Sequence, residues 1–424
     1  MKFIYKLLSL SLAIACLSGC SAANTEIASS SPPPATVTPT TDSTEVPASN
    51  NVFTSAGDGL YVTTDSGIYE LQTVFPDSAN IFYTDANTKE RIFLCANPNC
   101  THADESCPSY IATPSAMFPP MLLRVGDQLL VVFTEATDSS NPHGMLMNMD
   151  GSNRRTVFEL ASNQYMQGGF CTSGNDLYFD LYEINDSGNV TYQLWYVSFE
   201  NGTSEKVMDL GSDSDHYSLC DGANNELCFN HVSSDGISYC MYNPQSKTIS
   251  DPFFVDSSVS GNSMIQDGYL FVLDEQASSV QRIRLSDEEQ ASASFTVKEG
   301  FGAPSMRYLF DGNLMITEAQ TTASDIPTDG SYGVCSYILD FGTRNCTEFT
   351  LQTPYNNRPV YVLTTIGDAC YVATDYKTYT PTSVSEDGTV SNFDYVANIY
   401  AFITKQDYIN SNQNGYSMVK DAFE

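Results

Sequence analysis

The chain has 424 residues and a formal net charge of −33, from 18 Lys and Arg against 51 Asp and Glu. Hydrophobic residues make up 42% and aromatic residues 12%, which is enough apolar material for a large folded core. The acidity argues against two kinds of partner. Nucleic-acid binding needs basic residues that neutralise phosphates, and electrostatic binding to an anionic membrane needs basic clusters. We therefore predict no nucleic acid partner.

Residues 1–20 have the layout of a secretory signal. Lys2 and Lys6 form a short positive region, and the apolar run that follows is too short to span a bilayer core of about 30 Å as a helix. The segment ends in Leu17-Ser18-Gly19-Cys20, which resembles the lipobox of bacterial lipoproteins at all four positions. The resemblance implies a signal peptide over 1–19, cleavage before Cys20 and a diacylglyceryl group on its sulfur.

The lipid would be the membrane anchor of the mature protein. One acyl chain binds a membrane only reversibly, whereas two signals give stable anchoring. We therefore expect a palmitate-type lipoprotein on the extracytoplasmic face of the cell membrane. Residues 20–52, which begin with the lipidated Cys20, are rich in Ser, Thr, Pro and Ala and contain no aromatic residue. Such a segment buries too little surface to offset its ordering entropy, so we predict a disordered tether.

The body, residues 53–424, carries short aromatic and β-branched runs that alternate with polar residues, for example 177–182 and 192–197. Asp-Gly pairs recur between these runs, and they are a strong signal for hairpin turns. A turn followed by an apolar strand recurs every ~40–70 residues along the body. These strands start near Leu60, Leu129, Leu177, Leu227, Tyr269, Leu314 and Ala369.

This rhythm predicts an all-β fold. About four strands in ~40–50 residues is typical of a propeller blade, so we predict a β-propeller of four-stranded blades. Seven blades fit the spacing best, and six or eight stay open. The alternatives are another all-β fold and two α/β lobes. The lobes would need long amphipathic helices between parallel strands, and no convincing helical periodicity occurs.

The highest density of potential metal ligands lies in 92–110, IFLCANPNCTHADESCPSY. There, Cys95, Cys100, His102 and Cys107 form a Cys-x4-Cys-x-His-x4-Cys pattern. Three thiolates and one imidazole can surround a tetrahedral Zn²⁺ with bonds of about 2.0–2.3 Å. Four protein ligands fill the coordination shell, so the predicted metal site is structural. Two of the cysteines could instead form a disulfide, or all three could stay reduced without a ligand.

We place this cluster in an insertion of the propeller domain at about 95–118. Leu94-Cys95 at the end of a strand, followed by Cys100-Thr101-His102 and Cys107, resembles a segment of exported lipoproteins from Clostridia-like bacteria. Those lipoproteins look like β-propellers that are distantly similar to the low-density-lipoprotein-receptor type. The resemblance implies the same fold and brings no established activity.

Seven further cysteines lie in the body: Cys171, Cys220, Cys228, Cys240, Cys335, Cys346 and Cys370. Cys220 and Cys228 flank a turn and could face each other across a hairpin, as could Cys335 and Cys346. The interpretation that the sequence favours is simpler: these are small apolar residues buried in strands.

The sequence nominates no catalytic residue. It lacks a nucleophile elbow, a His-Glu-x-x-His motif and a phosphate-binding loop. His143, His216 and His231 are predicted to be polar surface residues. The acidic turns at 185–188 and 213–215 do not complete a calcium-binding loop, so a calcium site is not expected.

Three functions follow from these observations. The leading hypothesis is a lipid-anchored propeller that acts as a non-catalytic binding or interaction scaffold at the cell envelope, with a peptide, a glycan or an envelope protein as ligand. The second is a propeller-fold glycan hydrolase or lyase that uses carboxylates on the channel face, which requires acids of raised pKa in a central pocket. The third is the solute-binding lipoprotein of a transporter, which requires the two α/β lobes.

Overall fold

The computed structural model describes residues 53–55, 59–75, 78–113, 119–256, 263–320, 333–379, 382–384, 390–392 and 395–422. The predicted signal peptide, the lipidation site Cys20 and the tether lie outside the described residues, as do residues 114–118 of the predicted insertion. Across these described ranges, no helix is both long and apolar enough to cross a membrane.

After a short first strand, β1 (Thr54–Ser55), the strands form successive antiparallel sheets, which we number 1–7 in chain order. Sheet 1 contains β2 (Tyr61–Thr63), β3 (Gly67–Phe75), β4 (Ser78–Asp85), β5 (Arg91–Phe93) and β6 (Tyr110–Ala112). Sheet 2 contains β7 (Met121–Val125), β8 (Gln128–Phe133), β9 (His143–Asn148) and β10 (Arg155–Glu159).

Sheets 3 and 4 are joined, because the end of one pairs with the start of the other. Sheet 3 contains β11 (Gln164–Ser173), β12 (Asp176–Ile184), β13 (Val190–Ser198) and β14 (Thr203–Ser212). Sheet 4 contains β15 (Asp215–Ala223), β16 (Glu226–Ser233), β17 (Gly236–Asn243), β18 (Thr248–Ile249) and β19 (Phe254–Asp256).

The last three sheets repeat the same meander. Sheet 5 contains β20 (Ser263–Gln266), β21 (Tyr269–Asp274), β22 (Ser279–Arg284) and β23 (Gln290–Ser294). Sheet 6 contains β24 (Phe301–Tyr308), β25 (Leu314–Gln320), β26 (Val334–Asp340) and β27 (Asn345–Phe349). Sheet 7 and its hairpin contain β28 (Val362–Ile366), β29 (Ala369–Tyr379), β30 (Thr382–Val384), β31 (Val390–Asn392), β32 (Tyr395–Thr404) and β33 (Ser417–Met418), with helix α1 (Lys405–Ile409) before β33.

The first strands of the sheets follow one another around a central axis. β2 contacts β7, β7 contacts β11, β11 contacts β15, and β15 contacts β20. Sheets 5 and 6 share one hydrophobic cluster, and sheets 6 and 7 share another. β28 of the last sheet contacts β2 of the first, so the order closes on itself. The body is therefore an all-β, circular array of mostly four-stranded antiparallel sheets, a β-propeller, and the alternative of two α/β lobes is wrong.

The core consists of separate apolar layers between adjacent sheets. In β8, Leu129 and Val131 pack toward sheet 1, whereas Leu130 and Val132 pack toward sheet 3. All four side chains are completely buried. A strand that is covered on both faces needs apolar residues at every position, which explains why some strands are continuous apolar runs.

The strand starts that the sequence predicted coincide with second strands in six sheets and with a first strand in one. Leu129, Leu177, Leu227, Tyr269, Leu314 and Ala369 each lie within one residue of the start of a second strand. Leu60 instead precedes β2, a first strand, because the turn before it opens sheet 1. The second strand of that sheet starts at Gly67, and the long interval from Leu60 to Leu129 contains six strands, β2–β7, against four or five in each of the others.

Candidate metal centre and central cavity

The predicted metal ligands lie in a loop that interrupts the outer strand of sheet 1. β5 and β6 pair with successive stretches of β4. Between them, Leu94 N–H donates to Ile81 O, and Ile81 N–H donates to Ser109 O. Residues 95–108 therefore leave the sheet and return to it at almost the same point, on the outside of the propeller.

The structure brings all four predicted ligands together. One donor atom from each of Cys95, Cys100, His102 and Cys107 lies within 4.8 Å of all the others. The three cysteines are free, so no disulfide competes for their sulfurs. A tetrahedral ion with bonds of about 2.0–2.3 Å fits among donors at such separations, and three thiolates with an imidazole suit Zn²⁺. The cluster can hold a metal ion.

The backbone around His102 is arranged to present the ring to the sulfurs. His102 has a left-handed φ of 56°, its ring stacks on Phe93 at 4.0 Å, and its Nδ1 lies 3.3 Å from Cys107 Sγ. Asn80 Nδ2 donates to His102 O at 3.1 Å. The Phe93 ring therefore supports the imidazole, and the Asn80 amide of β4 holds the backbone of His102.

The thiols differ in their electrostatic surroundings. Burial opposes ionisation of Cys107, but hydrogen bonds from Ser109 and His102 outweigh it and lower the pKa of Cys107 to about 6. Burial raises the pKa of Cys95 to about 11, although its contact with the Asn97 backbone opposes the rise. Cys107 is also the only one of the three thiols that is fully buried, so it is the most firmly placed of the donors.

Arg154 of sheet 2 holds the far end of the loop. Its guanidinium donates to Tyr110 O at 2.6 Å and to Pro108 O. Burial of this guanidinium lowers its pKa. No sequence motif points to Arg154, Asn80 or Ser109, because each is a common residue that is distant in sequence or ordinary in context.

A cavity of about 750 Å³ opens where the first strands of sheets 4–7 approach one another. Its walls come from β15, β20, β24 and β28 and from the turns that follow the first three of these strands. Tyr61 of sheet 1, Phe53, and Tyr269, Arg284 and Ser286 of sheet 5 complete the lining. The cavity is therefore the open end of the central channel, on the face that carries the turns between the first and second strands.

The carboxylates of the cavity are engaged with neighbours. Asp221 accepts hydrogen bonds from the backbone N–H groups of Gly222, at 2.7 Å, and Gly268, at 2.9 Å. Asp311 forms an ion pair with Lys405 at 2.9 Å. The hydroxyl of another lining residue, Tyr308, donates to Asp267, and burial together with this contact raises the pKa of the tyrosine.

The acid with the clearest raised pKa lies elsewhere. Asp180 is buried between sheets 3 and 4, where burial raises its pKa to about 7 although Leu219 N–H donates to its Oδ2 at 3.1 Å. Its Oδ1 is buried without a hydrogen-bond partner. Asp180 is not part of the cavity lining, so it does not supply the acid that the hydrolase or lyase hypothesis requires there.

The other histidines are half-buried rather than simply exposed. Each ring stacks on an aromatic ring of another strand, with centroid distances of 4.4, 3.9 and 4.3 Å for the pairs His143–Phe133, His216–Tyr192 and His231–Tyr217. His231 Nε2 also lies 2.6 Å from Asp215 Oδ1. These contacts indicate that the three histidines pack against aromatic rings on the faces of the sheets.

The seven cysteines outside the cluster that the structure describes are free. Five of them are buried: Cys171, Cys228, Cys240, Cys335 and Cys370. The suggested cross-hairpin pairs do not face each other, because Cys228 lies opposite Asp221 and Cys346 lies opposite Leu339. A bulge beside Cys220 and an offset of the third hairpin of sheet 6 shift the register from the symmetric arrangement that the sequence suggested.

The start of the described chain lies in the central channel. Thr54 pairs with Thr172 and Ser55 with Cys171, so β1 covers the inner edge of β11. Phe53 N–H donates to Asn224 O at 2.9 Å. Because β1 runs antiparallel to β11, the chain enters the channel from the face on which the cavity opens.

No family model and no curated protein matches the chain. Among solved structures, it is similar to the tricorn protease at 11% identity, over 81% of this chain and 35% of that chain, with a TM-score of 0.31. An oligogalacturonate lyase in complex with manganese has 10% identity, coverages of 63% and 69%, and a TM-score of 0.38. The β-propeller domain of the Trilobed protease from Pyrococcus furiosus has 14% identity, coverages of 72% and 99%, and a TM-score of 0.37. The chain thus spans about a third of the tricorn protease, and no activity is carried over from these proteins.

Proposed function

We propose that this protein is a lipid-anchored, extracytoplasmic β-propeller that binds a ligand at the cell envelope without converting it. The observation that carries the proposal is the central cavity, whose volume of about 750 Å³ lies in the usual range for ligand sites. The lipobox at Leu17–Cys20 and the composition of 20–52 support the anchor and the location.

The chemistry of the cavity favours binding over turnover. Its described lining contains tyrosines, methionines, arginines and amides, but neither histidine nor cysteine. Its aspartates are already held by backbone N–H groups, by Tyr308 or by Lys405. Groups held in this way can orient a ligand, whereas general acid–base catalysis needs a group that can exchange a proton with it.

We also propose that Cys95, Cys100, His102 and Cys107 bind one structural Zn²⁺. The supporting observations are the proximity of the four donors and the placement of the loop between the two halves of an outer strand. When bound, the metal would link the two ends of the loop, which has few apolar residues of its own to bury. A site with four protein ligands has no open position for a substrate, so its role is structural.

A ligand screen tests the binding proposal. The purified protein is incubated with defined panels of neutral and acidic glycans and of short peptides, and hydrogen exchange is followed by mass spectrometry. We expect a ligand that protects 264–269 and 306–311 and is recovered with unchanged mass. Met264→Trp, which fills the cavity, should abolish the protection, whereas Met418→Trp at an exposed outer position should not.

Two results would contradict the proposal. A ligand that is recovered as products would favour the hydrolase or lyase alternative. Protection confined to the outer strands would place binding outside the cavity. The anchor is tested separately: Cys20→Ser should move the protein from the membrane fraction to the soluble fraction, and mass spectrometry of the wild type should find acyl chains on Cys20.

A further inference from the structure

We infer that the ligand of the central cavity is an extended peptide segment that adds as a strand to the inner edge of β24. This inference rests on the proposed binding function and specifies its ligand class. Two observations support it: the open strand edges that line the channel, and the strand β1, which already pairs with one inner edge.

The first strands of sheets 5–7 present unpaired edges to the cavity. In the described chain, β20, β24 and β28 each pair with one strand only, which is the second strand of their own sheet. The opposite edge of each lies on the channel, and Met264, Met306 and Val362 of these strands line the cavity. An unpaired strand edge is a template for another extended chain, because its N–H and C=O groups are spaced to continue the ladder.

The chain itself shows that an inner edge can accept a strand. β1 forms two residue pairs with the inner edge of β11, between Thr54 and Thr172 and between Ser55 and Cys171. The side chain of the preceding Phe53 packs edge-on against Tyr178 at 5.3 Å and is 7% exposed. Gly222 leaves room for it, since a Cβ there would lie 2.5 Å from Phe53 Cβ. This channel therefore already contains one added strand, β1, which the aromatic side chain of Phe53 anchors.

β24 is the strongest candidate for a second addition. It is the longest of the first strands of sheets 5–7. A bulge between Gly302 and Ser305, with Pro304 inside it, interrupts the start of the strand, so the regular edge is 305–308, directly beside the cavity. Arg307 on this stretch is exposed and stacks on the Tyr361 ring at 4.3 Å.

The direction of the Met306 backbone supports this choice. Antiparallel ladders alternate between pairs that exchange hydrogen bonds and pairs that do not. Leu309 N–H donates to Asn313 O in the adjoining turn, so Leu309 is in a hydrogen-bonded pair. The alternation then makes Arg307 a hydrogen-bonded residue of the ladder with β25. The N–H and C=O of Met306, the residue before Arg307, point away from β25 and toward the channel. A peptide that lies along β24 would pair with Met306 and place alternate side chains beside Phe310 and Met264.

The test uses peptides selected on the intact protein from a library of short random sequences. Each selected peptide is remade with one backbone N-methyl group at a time. Strand addition predicts that methylation at alternate positions weakens binding about tenfold or more, since each blocks a hydrogen bond and clashes with the edge, while the intervening positions tolerate it. Met306→Pro should weaken binding similarly relative to Met306→Ala, which keeps the N–H.

The outcomes separate this inference from the proposed function. Peptides that protect the cavity from hydrogen exchange but show no alternation would overturn strand addition and leave the binding function standing. Binding of a glycan in the cavity, with no peptide selected, would do the same. If no glycan and no peptide protects the cavity, the binding function itself fails. If Met306→Pro does not fold, the N-methyl series on the wild-type protein still decides whether the peptide adds as a strand.

Discussion

Glu70 and Arg91 form a buried ion pair at the junction between the first and last sheets. Arg91 Nη2 lies 2.8 Å from Glu70 Oε2, and the two side chains are 1% and 5% exposed. From sheet 7, Tyr400 OH donates to Glu70 Oε1 at 2.5 Å, and Asp421 accepts from Arg91 Nη1 at 3.1 Å. Parts of the chain about 330 residues apart therefore meet on one carboxylate and one guanidinium.

We expect Arg91→Met to destabilise the propeller strongly. Removing one partner of a buried pair leaves an uncompensated charge, which costs about 3–5 kcal/mol. The free energy of unfolding, measured by urea titration, should fall by that amount, and Glu70→Gln should cost less because Tyr400 and Arg91 can still hydrogen-bond to the amide. The exposed pair Lys206–Asp209 is the control: Lys206→Met should cost below about 1 kcal/mol. Equal losses for Arg91→Met and Lys206→Met would show that ring closure does not depend on this pair.

The metal proposal predicts a stoichiometry that depends on one cluster. Protein purified without chelator should contain one zinc per chain by elemental analysis, and Cys100→Ser should lose it because a tetrahedral site needs all four ligands. Cys346→Ser, a half-buried cysteine outside the cluster, should retain it. Zinc removal should also lower the melting temperature of the wild type, since metal binding to the folded state adds to its stability. If the wild type contains no zinc, and a thiol titration of the denatured protein finds two thiols fewer than the sequence has, the cluster forms a disulfide instead.

Asp180 should make stability depend on pH. Burial raises its pKa to about 7 in the folded state, against about 3.9 in an unfolded chain. Between these values the folded protein holds a proton that the unfolded chain has lost, so this group favours unfolding increasingly as pH rises from 4 to 7. We expect Asp180→Asn to be more stable than the wild type at pH 8 by about 4 kcal/mol, with the difference vanishing near pH 4.

The control for this pH effect is Asp235→Asn, in an exposed turn of sheet 4. It carries the same change in net charge without the burial, so its difference from the wild type should vary little over the same range. Urea titrations at several pH values measure all three proteins. A constant difference between Asp180→Asn and the wild type from pH 4 to 8 would refute the assignment.

Two adjacent glycines of β11 should respond differently to alanine. A Cβ on Gly169 would lie 2.2 Å from Leu219 O in sheet 4 and 2.7 Å from Asp180 Oδ1, so the sheets would have to separate. We expect Gly169→Ala to cost about 2–3 kcal/mol or more. Gly168 has a φ of 99° and open space around it, so Gly168→Ala should cost only about 1 kcal/mol of backbone strain. Urea midpoints compare the two, and a smaller loss for Gly169→Ala would mean that the third and fourth sheets are less tightly packed than the structure shows.

Local patterns were enough to predict the repeated sheets. Strand alternation and Asp-Gly turns depend on neighbours in sequence, and they identified six second strands to within one residue. The Cys-x4-Cys-x-His-x4-Cys spacing likewise predicted the cluster, because all four ligands lie in one loop. The cross-hairpin cysteine pairs were wrong for two reasons. A bulge beside Cys220 changes which residue lies opposite Cys228, and the register of β26 and β27 places Leu339 opposite Cys346.

The amino-acid sequence by itself thus determined the β character, the repeat and the metal-type ligand set, since each is encoded within a few dozen residues. Only the tertiary structure decided where the chain closes, which acids become buried and what lines the cavity. Glu70 meets Tyr400, Asp180 meets Leu219, and Phe53 enters the channel beside Asn224. These contacts join residues from different sheets, and their geometry follows from how complete sheets pack, which no local pattern records.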